Sequence, residues 1–517
     1  MPESKKSSFV HELKLKLDPK QESILNVRLN ISRQVYNACL GEGLKRLNLM
    51  RDSKDWQRAC KMPPKIKGQK NSLVVNKERQ ELFKTARQKH DFSEYALHRY
   101  TTHLRRSQYI SDHVDSQTAQ KIASRAFNAI MQYTIAKRGK PRFKSYHRFS
   151  SVEGKSNHSG IRWVDGKIKW GKNFECGVYF DFKDKHGLEC YALSCKTKYV
   201  RLVKRSIKGT AVWYAQLIQE GTPYIKGKNK LGSEVVGLDI GPSSIAVVSK
   251  KDAWLQAFCP EVNEPSKKIK ALQRKMSRSL RMSNPQNYEE DRWVVNANGK
   301  KILKKGKVKK GFLKWERSKK YQSARFEVAE THRKMAATRK RSHGELANKI
   351  LASGTTIKTE HLSYKAWQKI YGKSIGKRAP GLLMEILRRK AANAGGEVIE
   401  FNTRTTALSQ SCQCGSRKKK ALKERWHDCQ SCGLIVQRDL YSAFLATFVY
   451  ENKLDICQAQ DAWPGADTLL EQAISSLIET TTSETRLASF GLGQRLRRLP
   501  VKEESVSSEA LDVVTTA

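Results

Sequence analysis

Three acidic residues sit where an apolar segment meets a turn or a helix start, the setting in which a carboxylate serves a cation rather than bulk water. Glu234 to Ile240 reads as a short apolar strand carrying Asp239, and Gly241, Pro242 and Ser243 then turn the chain into a second strand, Ser244 to Val248. A second strand-like stretch, Thr355 to Thr359, delivers Glu360 just before His361, Leu362 and Ser363. Asp439 follows Val436, Gln437 and Arg438 and opens a helical pattern through Ala443, Leu445 and Phe448. Taken singly, Asp239 reads equally as a turn residue, and an Asp at a helix start is more often a cap than a catalyst. Taken together, a strand hairpin, a later strand and a terminal helix that each supply one carboxylate form an RNase H-like arrangement. A lone buried carboxylate is costly unless it is paired or holds a cation. Three such hard oxygen ligands suit two Mg²⁺ ions, which would stabilise the attacking and leaving oxygens of a phosphodiester and make hydroxide available near neutral pH.

Between the second and third acids lie Cys412, Gln413, Cys414 and Gly415, and, after Cys414, fourteen residues lead to Cys429, Gln430, Ser431, Cys432 and Gly433. Two knuckles whose glycines permit the sharp turn point four thiolates at one structural Zn²⁺, a zinc ribbon. The first knuckle is one residue shorter than usual, so His427 is a substitute ligand if Cys412 or Cys414 points away. Seven further cysteines of the eleven are scattered, which argues for metal ligation in a reducing compartment rather than a disulfide framework.

The elements that must hold these groups follow from periodicity. Val10 to Leu17 alternates like a strand, and Asp18 with Pro19 opens a helical stretch to about Met50. Helical patterns then dominate to Ala136, where Lys137, Arg138, Gly139, Lys140, Pro141, Arg142, Phe143 and Lys144 form a basic loop suited to phosphate contact, with Phe143 placed to stack. From Gly160 to Tyr224 the pattern turns β-like, and a small barrel is expected whose first strand is Val10 to Leu17, the helices being an insertion. A basic helix with an apolar stripe at Ile269, Leu272, Met276 and Leu280 precedes a lysine-rich loop. Phe312 to His343, free of Gly and Pro, permits a helix of roughly 48 Å.

Lys and Arg total 99 against 50 acidic residues, a formal net charge of +49, and such a field calls for polyanions. Only the tail runs the other way, with six basic and eleven acidic residues from Glu451 to Ala517. The part after Pro500, rich in Ser, Glu and Thr, is expected to be disordered. No segment offers the roughly 18 uninterrupted apolar residues of a membrane span, and the reading is a cytoplasmic protein without membrane partners.

In their order these motifs resemble TnpB and the compact type V CRISPR effectors. Gly237, Leu238, Asp239, Ile240 and Gly241 look like the first RuvC motif of that family, and Thr359, Glu360, His361 and Leu362 like the second. Ser409, Gln410, Ser411 and Cys412 resemble its lead-in to the ribbon, and Arg438, Asp439, Leu440, Tyr441, Ser442 and Ala443 its third RuvC motif. Gln437 stands where the family often has Asp, and Ser442 where it often has Asn. Weaker matches lie at Arg33, Val35, Tyr36 and Asn37 and at Gly139, Lys140, Pro141, Arg142 and Phe143.

The resemblance implies a multidomain α/β protein: a wedge-type β-barrel with an inserted helical recognition lobe, and an RNase H-like RuvC domain interrupted by a zinc ribbon. Along the chain this places the first part of the barrel at 1–18, the lobe at 19–149 and the rest of the barrel at 150–233. RuvC follows at 234–408 with a basic helical hairpin at 266–350, then the ribbon at 409–435, here a target nucleic-acid binding element, the final RuvC helix at 436–452 and the acidic tail at 453–517. The implied activity is RNA-guided DNA cleavage in a prokaryotic, nucleoid-associated setting, with a guide RNA and double-stranded target DNA as partners. Asp239, Glu360 and Asp439 would hold two Mg²⁺, Cys412, Cys414, Cys429 and Cys432 one Zn²⁺. Lys137, Arg138, Lys140, Arg142, Phe143 and Arg438 would touch nucleic acid. The competing readings are an RNA-guided DNA-binding protein that cuts weakly or not at all, as a repressor or transposon-targeting subunit, and a transposase that needs no RNA.

Overall fold

Strand β1 (Ser8–Lys16) buries Leu13 and Leu15 and exposes Glu12, Lys14 and Lys16, which alternate with them. Two residues beyond its end the Asp18 side chain accepts the Gln21 N–H at 2.8 Å while the Gln21 side chain accepts the Asp18 N–H at 2.9 Å. This reciprocal cap, with Pro19 at the first helical position, starts the long helix α1 (Pro19–Asp52) where the sequence places it. The computed structural model describes residues 7–67, 73–107, 109–262, 266–421, 423–480 and 490–492. They fall into two units, Met1–Lys226 and Gly227–Ala517.

In the first unit the chain leaves β1 for a set of helices that includes α1, α2 (Glu94–Arg106) and α3 (Ser116–Thr134), then returns to the sheet. The returning strands are β2 (Ser151–Glu153), β3 (Ile161–Val164), β4 (Lys167–Trp170), β5 (Glu175–Tyr179), β6 (Thr197–Ile207) and β7 (Thr210–Glu220). Their spatial order is β2-β6-β7-β1-β5-β4-β3. β1 pairs antiparallel with both β7 and β5, so the first strand of the chain lies in the middle of the sheet. Helices and strands share one core, in which Leu25, Leu40 and Ile130 belong with Trp170, Trp213 and Leu217. The expected small barrel is met in part: β2 and β3 are the end strands, and the sheet is a half-barrel. Period-two alternation specifies which face of a strand is buried, but not whether the two end strands pair.

The second unit is built on a five-stranded sheet. Its strands are β8 (Val235–Ile240), β9 (Ser244–Val248), β10 (Ala253–Ala257), and, after a long excursion, β13 (Thr356–Glu360) and β14 (Glu397–Phe401). The excursion holds α4 (Ser266–Ser283), the small hairpin β11 (Arg292–Val295) and β12 (Lys301–Lys304), and α5 (Lys319–Ser353). The order is β10-β9-β8-β13-β14, antiparallel from β10 to β8 and parallel from β8 to β14. α5 differs from the Gly-free window Phe312 to His343: it begins at the Ser318 cap, whose hydroxyl accepts the Tyr321 N–H, and runs through Gly344 to Ser353. Packing outweighs the cost of about 1 kcal/mol for a helical glycine, since Leu346, Ala347, Ile350 and Leu351 beyond it are buried.

Both faces of this sheet are covered. Val236, Leu238 and Ile240 pack with Ile350 and Leu351 of α5 and Leu383 and Leu387 of α7 (Pro380–Asn393), which follows α6 (Tyr364–Arg378). Ala246, Val248 and Leu255 pack instead with α8 (Arg438–Ala446) and α9 (Ile456–Thr480). α9 lies in the acidic tail, for which the motifs offered no assignment; Leu470, Ala473, Ile474 and Leu477 make it part of the core. The stretch after Pro500 lies outside the described residues. Among the described residues no helix is long and apolar enough to cross a membrane.

Candidate functional site

Asp239 and Glu360 share one face of the second sheet. In the parallel register of β8 and β13, Gly237 faces Lys358 and Leu238 faces Thr359, so the next positions are Asp239 and Glu360 on strands roughly 4.8 Å apart. Alternation along β8 puts Gly237 and Asp239 on the face covered by α8, while Val236, Leu238 and Ile240 serve the opposite core.

Asp439 comes from that covering helix. Gln437 caps α8, its side-chain oxygen accepting the Leu440 N–H at 2.8 Å. Asp439 is therefore released from the capping role that an Asp at a helix start commonly fills. It is buried, 8 % exposed, and its Oδ2 accepts the Ser244 hydroxyl at 3.4 Å, directly beside the turn that follows Asp239. The helix comes this close because Gly237 has no side chain: a Cβ there would lie 1.8 Å from the Ala443 carbonyl oxygen. The four-residue step from Ala443 back to Asp439, about 6 Å of helix, matches the two-residue step from Gly237 to Asp239, about 6.7 Å of strand.

The electrostatics record the convergence. Burial pushes the Asp239 carboxyl well above the usual range, and the Asp439 and Glu360 carboxylates add to it. Burial likewise raises Asp439, against the pull of Arg425 and Arg438, whose nitrogens lie 3.6 and 3.8 Å from its Oδ1. Glu360 is pushed up to about 7 by burial, partly offset by the Leu408 N–H. Three acids that resist ionisation alone form a donor set that fits divalent cations, because a bound cation removes the reason each pKa is high. Their spacing is wider than a single-ion cage. Among the described residues, the one group of three or more such ligand atoms all within 4.8 Å of one another is the cysteine set.

That set is Cys412, Cys414, Cys429 and Cys432. Cys412 Sγ lies 3.7 Å from Cys432 Sγ, and Cys414 Sγ 3.6 Å from Cys429 Sγ. A tetrahedron with Zn–S bonds near 2.3 Å has edges of about 3.8 Å, so the thiols fit zinc. Gly415 and Gly433 carry the positive φ, 85° and 71°, that turns each knuckle back on itself. The short first knuckle still brings both sulfurs in. His427 stays out of the set: it is buried against the Tyr441 ring, with Nδ1 bonded to the Lys420 ammonium. Tyr441 joins the ribbon to α8, its hydroxyl oxygen accepting the Gln413 N–H at 2.9 Å two residues from Asp439.

The basic loop of the first unit is on the surface: Lys137, Arg138, Lys140, Arg142 and Phe143 are all exposed, Phe143 by 61 %. Asn37 grips it, donating to the Lys144 carbonyl at 3.0 Å and accepting the Lys144 N–H at 2.8 Å, and Arg33 donates to the same carbonyl. The two weaker motif matches thus hold one another. Beside them lies a cleft of about 480 Å³ lined by Lys121, Arg125, Arg138, Arg142 and Lys144 among others. Arg438 stands at the start of α8 in the second unit. It is 8 % exposed, donates to the Ala421 carbonyl at 3.2 Å and faces Asp439, because helix packing turns the first-turn residue inward.

The motifs did not point to Lys358 or Arg425, nor to the roles that Gly237 and Ser244 play at the site. Lys358 stands two residues before Glu360 on the same face, buried, with Nζ donating to the Thr447 carbonyl at 2.9 Å at the end of α8 and lying 3.6 Å from the Tyr450 ring centroid. Period-two spacing from Glu360 would have placed it on the site face, but not its clamp on the helix.

Residues 381–445 match the family model described as Cas12f1-like, TNB domain, a span that starts in α7, holds all four cysteines and Asp439, and ends in α8. No curated protein matches the chain in sequence. Two solved structures resemble it at low identity. One is a cryo-EM structure of a Cas12f1–sgRNA–target DNA complex, 12 % identical over 85 % of this chain and 98 % of that chain with a TM-score of 0.40. The other is a cryo-EM structure of a CRISPR–Cas12f ternary complex, 11 % identical over 86 % and 99 % with a TM-score of 0.24. Over residues 381–445 the chain is thus similar to the Cas12f1-like TNB domain, in the stretch that holds the four cysteines and Asp439.

Proposed function

We propose that the protein is an RNA-guided DNA endonuclease that pairs a guide RNA with one strand of a double-stranded target, reads a short flanking duplex motif and cuts with an RNase H-like, RuvC-type site. The observation that carries this reading is the meeting of Asp239, Glu360 and Asp439 on one sheet face under α8, made possible by Gly237. The Cas12f1-like match and the charge of +49 support the choice of guided nucleic-acid chemistry over other metal-dependent hydrolysis.

Each part of the chain has a task in that reaction. Asp239, Glu360 and Asp439 would hold two Mg²⁺, and the chemistry supplied there is polarisation of the phosphodiester and a lower pKa for the attacking water. Ser244, Arg425 and Arg438 orient Asp439, and the two arginines add positive charge where a phosphate must approach. Lys358 fixes the end of α8 against β13. The ribbon would hold one Zn²⁺ and, through Tyr441, brace the same helix. Lys137, Arg138, Lys140, Arg142 and Phe143 would give the first unit its own exposed surface for nucleic acid.

The test is cleavage by the full chain purified with its own RNA, given target DNA and Mg²⁺. The parent should cut, and Asp239→Ala should bind RNA as before and cut at no measurable rate, since it removes a metal ligand without touching the basic surface. Cleavage by the variant near the parent rate would sink the site. Binding without nicks by the parent would favour a guided DNA-binding protein.

A further inference from the structure

Between α4 and α5 the chain makes a structure that the proposed reaction leaves without a task. β11 and β12 form a two-stranded ribbon in which Trp293 faces Leu303 and Val295 faces Lys301. Trp293 is 69 % exposed, Val295 63 %, Ile302 46 % and Leu303 43 %. Among the described residues neither β11 nor β12 pairs with a further strand. A bare two-stranded hairpin is marginally stable in water, and clustered exposed apolar groups signal a missing partner.

The base of this ribbon is fixed. Asn284, fully buried, donates to the Glu316 carbonyl at 2.8 Å and accepts the Glu316 N–H at 2.7 Å. Asp291 accepts the Gly306 N–H at 2.8 Å, and Arg281 donates to the Gly306 carbonyl at 2.6 Å while its guanidinium lies 4.1 Å from the Tyr288 ring centroid. Gly306 is required, since a Cβ there would meet the Glu289 carbonyl oxygen at 1.8 Å. The result is a rigid stalk that presents an indole to solvent.

The surrounding charge names the partner. Residues 284–318 hold ten Lys and Arg against four acidic residues. Lys300, Lys301, Lys304, Lys307, Lys309 and Lys310 are exposed, and of the lysines in this loop only Lys305 is ion-paired, to Asp291, among the described residues. A protein partner would meet a field of one sign, whereas a polyanion is attracted by it. Ammonium groups alone would serve a duplex backbone. Trp293 and Leu303 add what only unstacked bases can use, a flat apolar surface beside those charges.

We propose that the β11–β12 ribbon is a stacking platform for single-stranded DNA, with bases on Trp293 and Leu303 and phosphates on the flanking lysines. The platform itself is independent of the nuclease reading. The choice of DNA rests on that reading, because pairing a guide with one strand of a duplex frees the other. The side-chain oxygen of Asn296 at the turn is already taken by the N–H groups of Asn298 and Lys300, so it is not held ready for a 2′-hydroxyl.

The experiment measures binding, not cutting, so it stands or falls apart from Asp239. The full chain is titrated with a labelled oligothymidylate of about twenty nucleotides, with single-stranded RNA and with a duplex of equal length, at several salt concentrations. Trp293→Ala should weaken oligothymidylate binding roughly tenfold, leave duplex binding unchanged and leave the salt dependence unaltered because no cation is removed. Trp293→Phe should restore most of the loss, which a folding defect would not allow. Photo-crosslinks from a 4-thiothymidine oligonucleotide should map to the peptide 292–304. An equal loss with single-stranded RNA supports stacking that ignores the 2′-hydroxyl. Unchanged oligothymidylate binding, an equal loss with duplex, a loss confined to RNA, or a change in oligomeric state in its place would each overturn the proposal.

Discussion

Burial raises the pKa of Glu360, Asp239 and Asp439, and this has opposite consequences for stability and for cation binding. A carboxyl with a raised folded-state pKa binds its proton more tightly folded than unfolded. For Glu360 the penalty is absent below about pH 4.5 and grows as pH rises to about 7, the ordinary and folded values. The cation-free protein is therefore less stable at pH 8 than at pH 5, by up to roughly 3 kcal/mol from this residue. Glu360→Gln should raise stability at pH 8 in chelator by about 1–3 kcal/mol and flatten the pH dependence; denaturant unfolding at both pH values checks it, and an unchanged profile would contradict the buried site. Cation binding runs the other way, because each ligand must lose its proton first. Mg²⁺ affinity of the parent should rise through pH 6 to 7, by up to about tenfold per unit for each proton displaced, measured by titration calorimetry.

Helix α8 concentrates the site in one element. It carries Asp439 toward Asp239, Tyr441 toward the ribbon and its Thr447 end toward Lys358. Its seat depends on Gly237, where even a methyl group meets the Ala443 carbonyl oxygen at 1.8 Å. Gly237→Ala must therefore push the helix off the strand, at a cost of about 1–3 kcal/mol. The expected outcome is a lower melting temperature and loss of cleavage, with RNA binding kept. A variant that cuts like the parent would show that the helix does not position Asp439 for the reaction. The Gly-Leu-Asp-Ile-Gly run thus needs its first glycine for a helix more than 200 residues later in the chain, a requirement with no local sign.

For the whole molecule the dominant quantity is the charge of +49. Its consequence is a binding free energy made largely of released counterions, so affinity for RNA should fall roughly a thousandfold between about 50 and 200 mM salt. A filter-binding series across that range checks it, and a nearly flat curve would remove the polyanion from the account.

What the chain reveals without its fold is what neighbours along the sequence decide. Asp18, Pro19 and Gln21 start α1 by themselves, Gly415 and Gly433 bend their own knuckles, and alternation puts Asp239 and Gly237 on one strand face. Charge, which needs no geometry, points to nucleic acid. Tertiary structure alone determined that the first sheet is a half-barrel, that α9 of the acidic tail covers the second sheet, that Arg438 turns inward and that three acids far apart in sequence meet. Each of these depends on which distant surface an element is packed against, and periodicity records only that a face is to be buried, not by what.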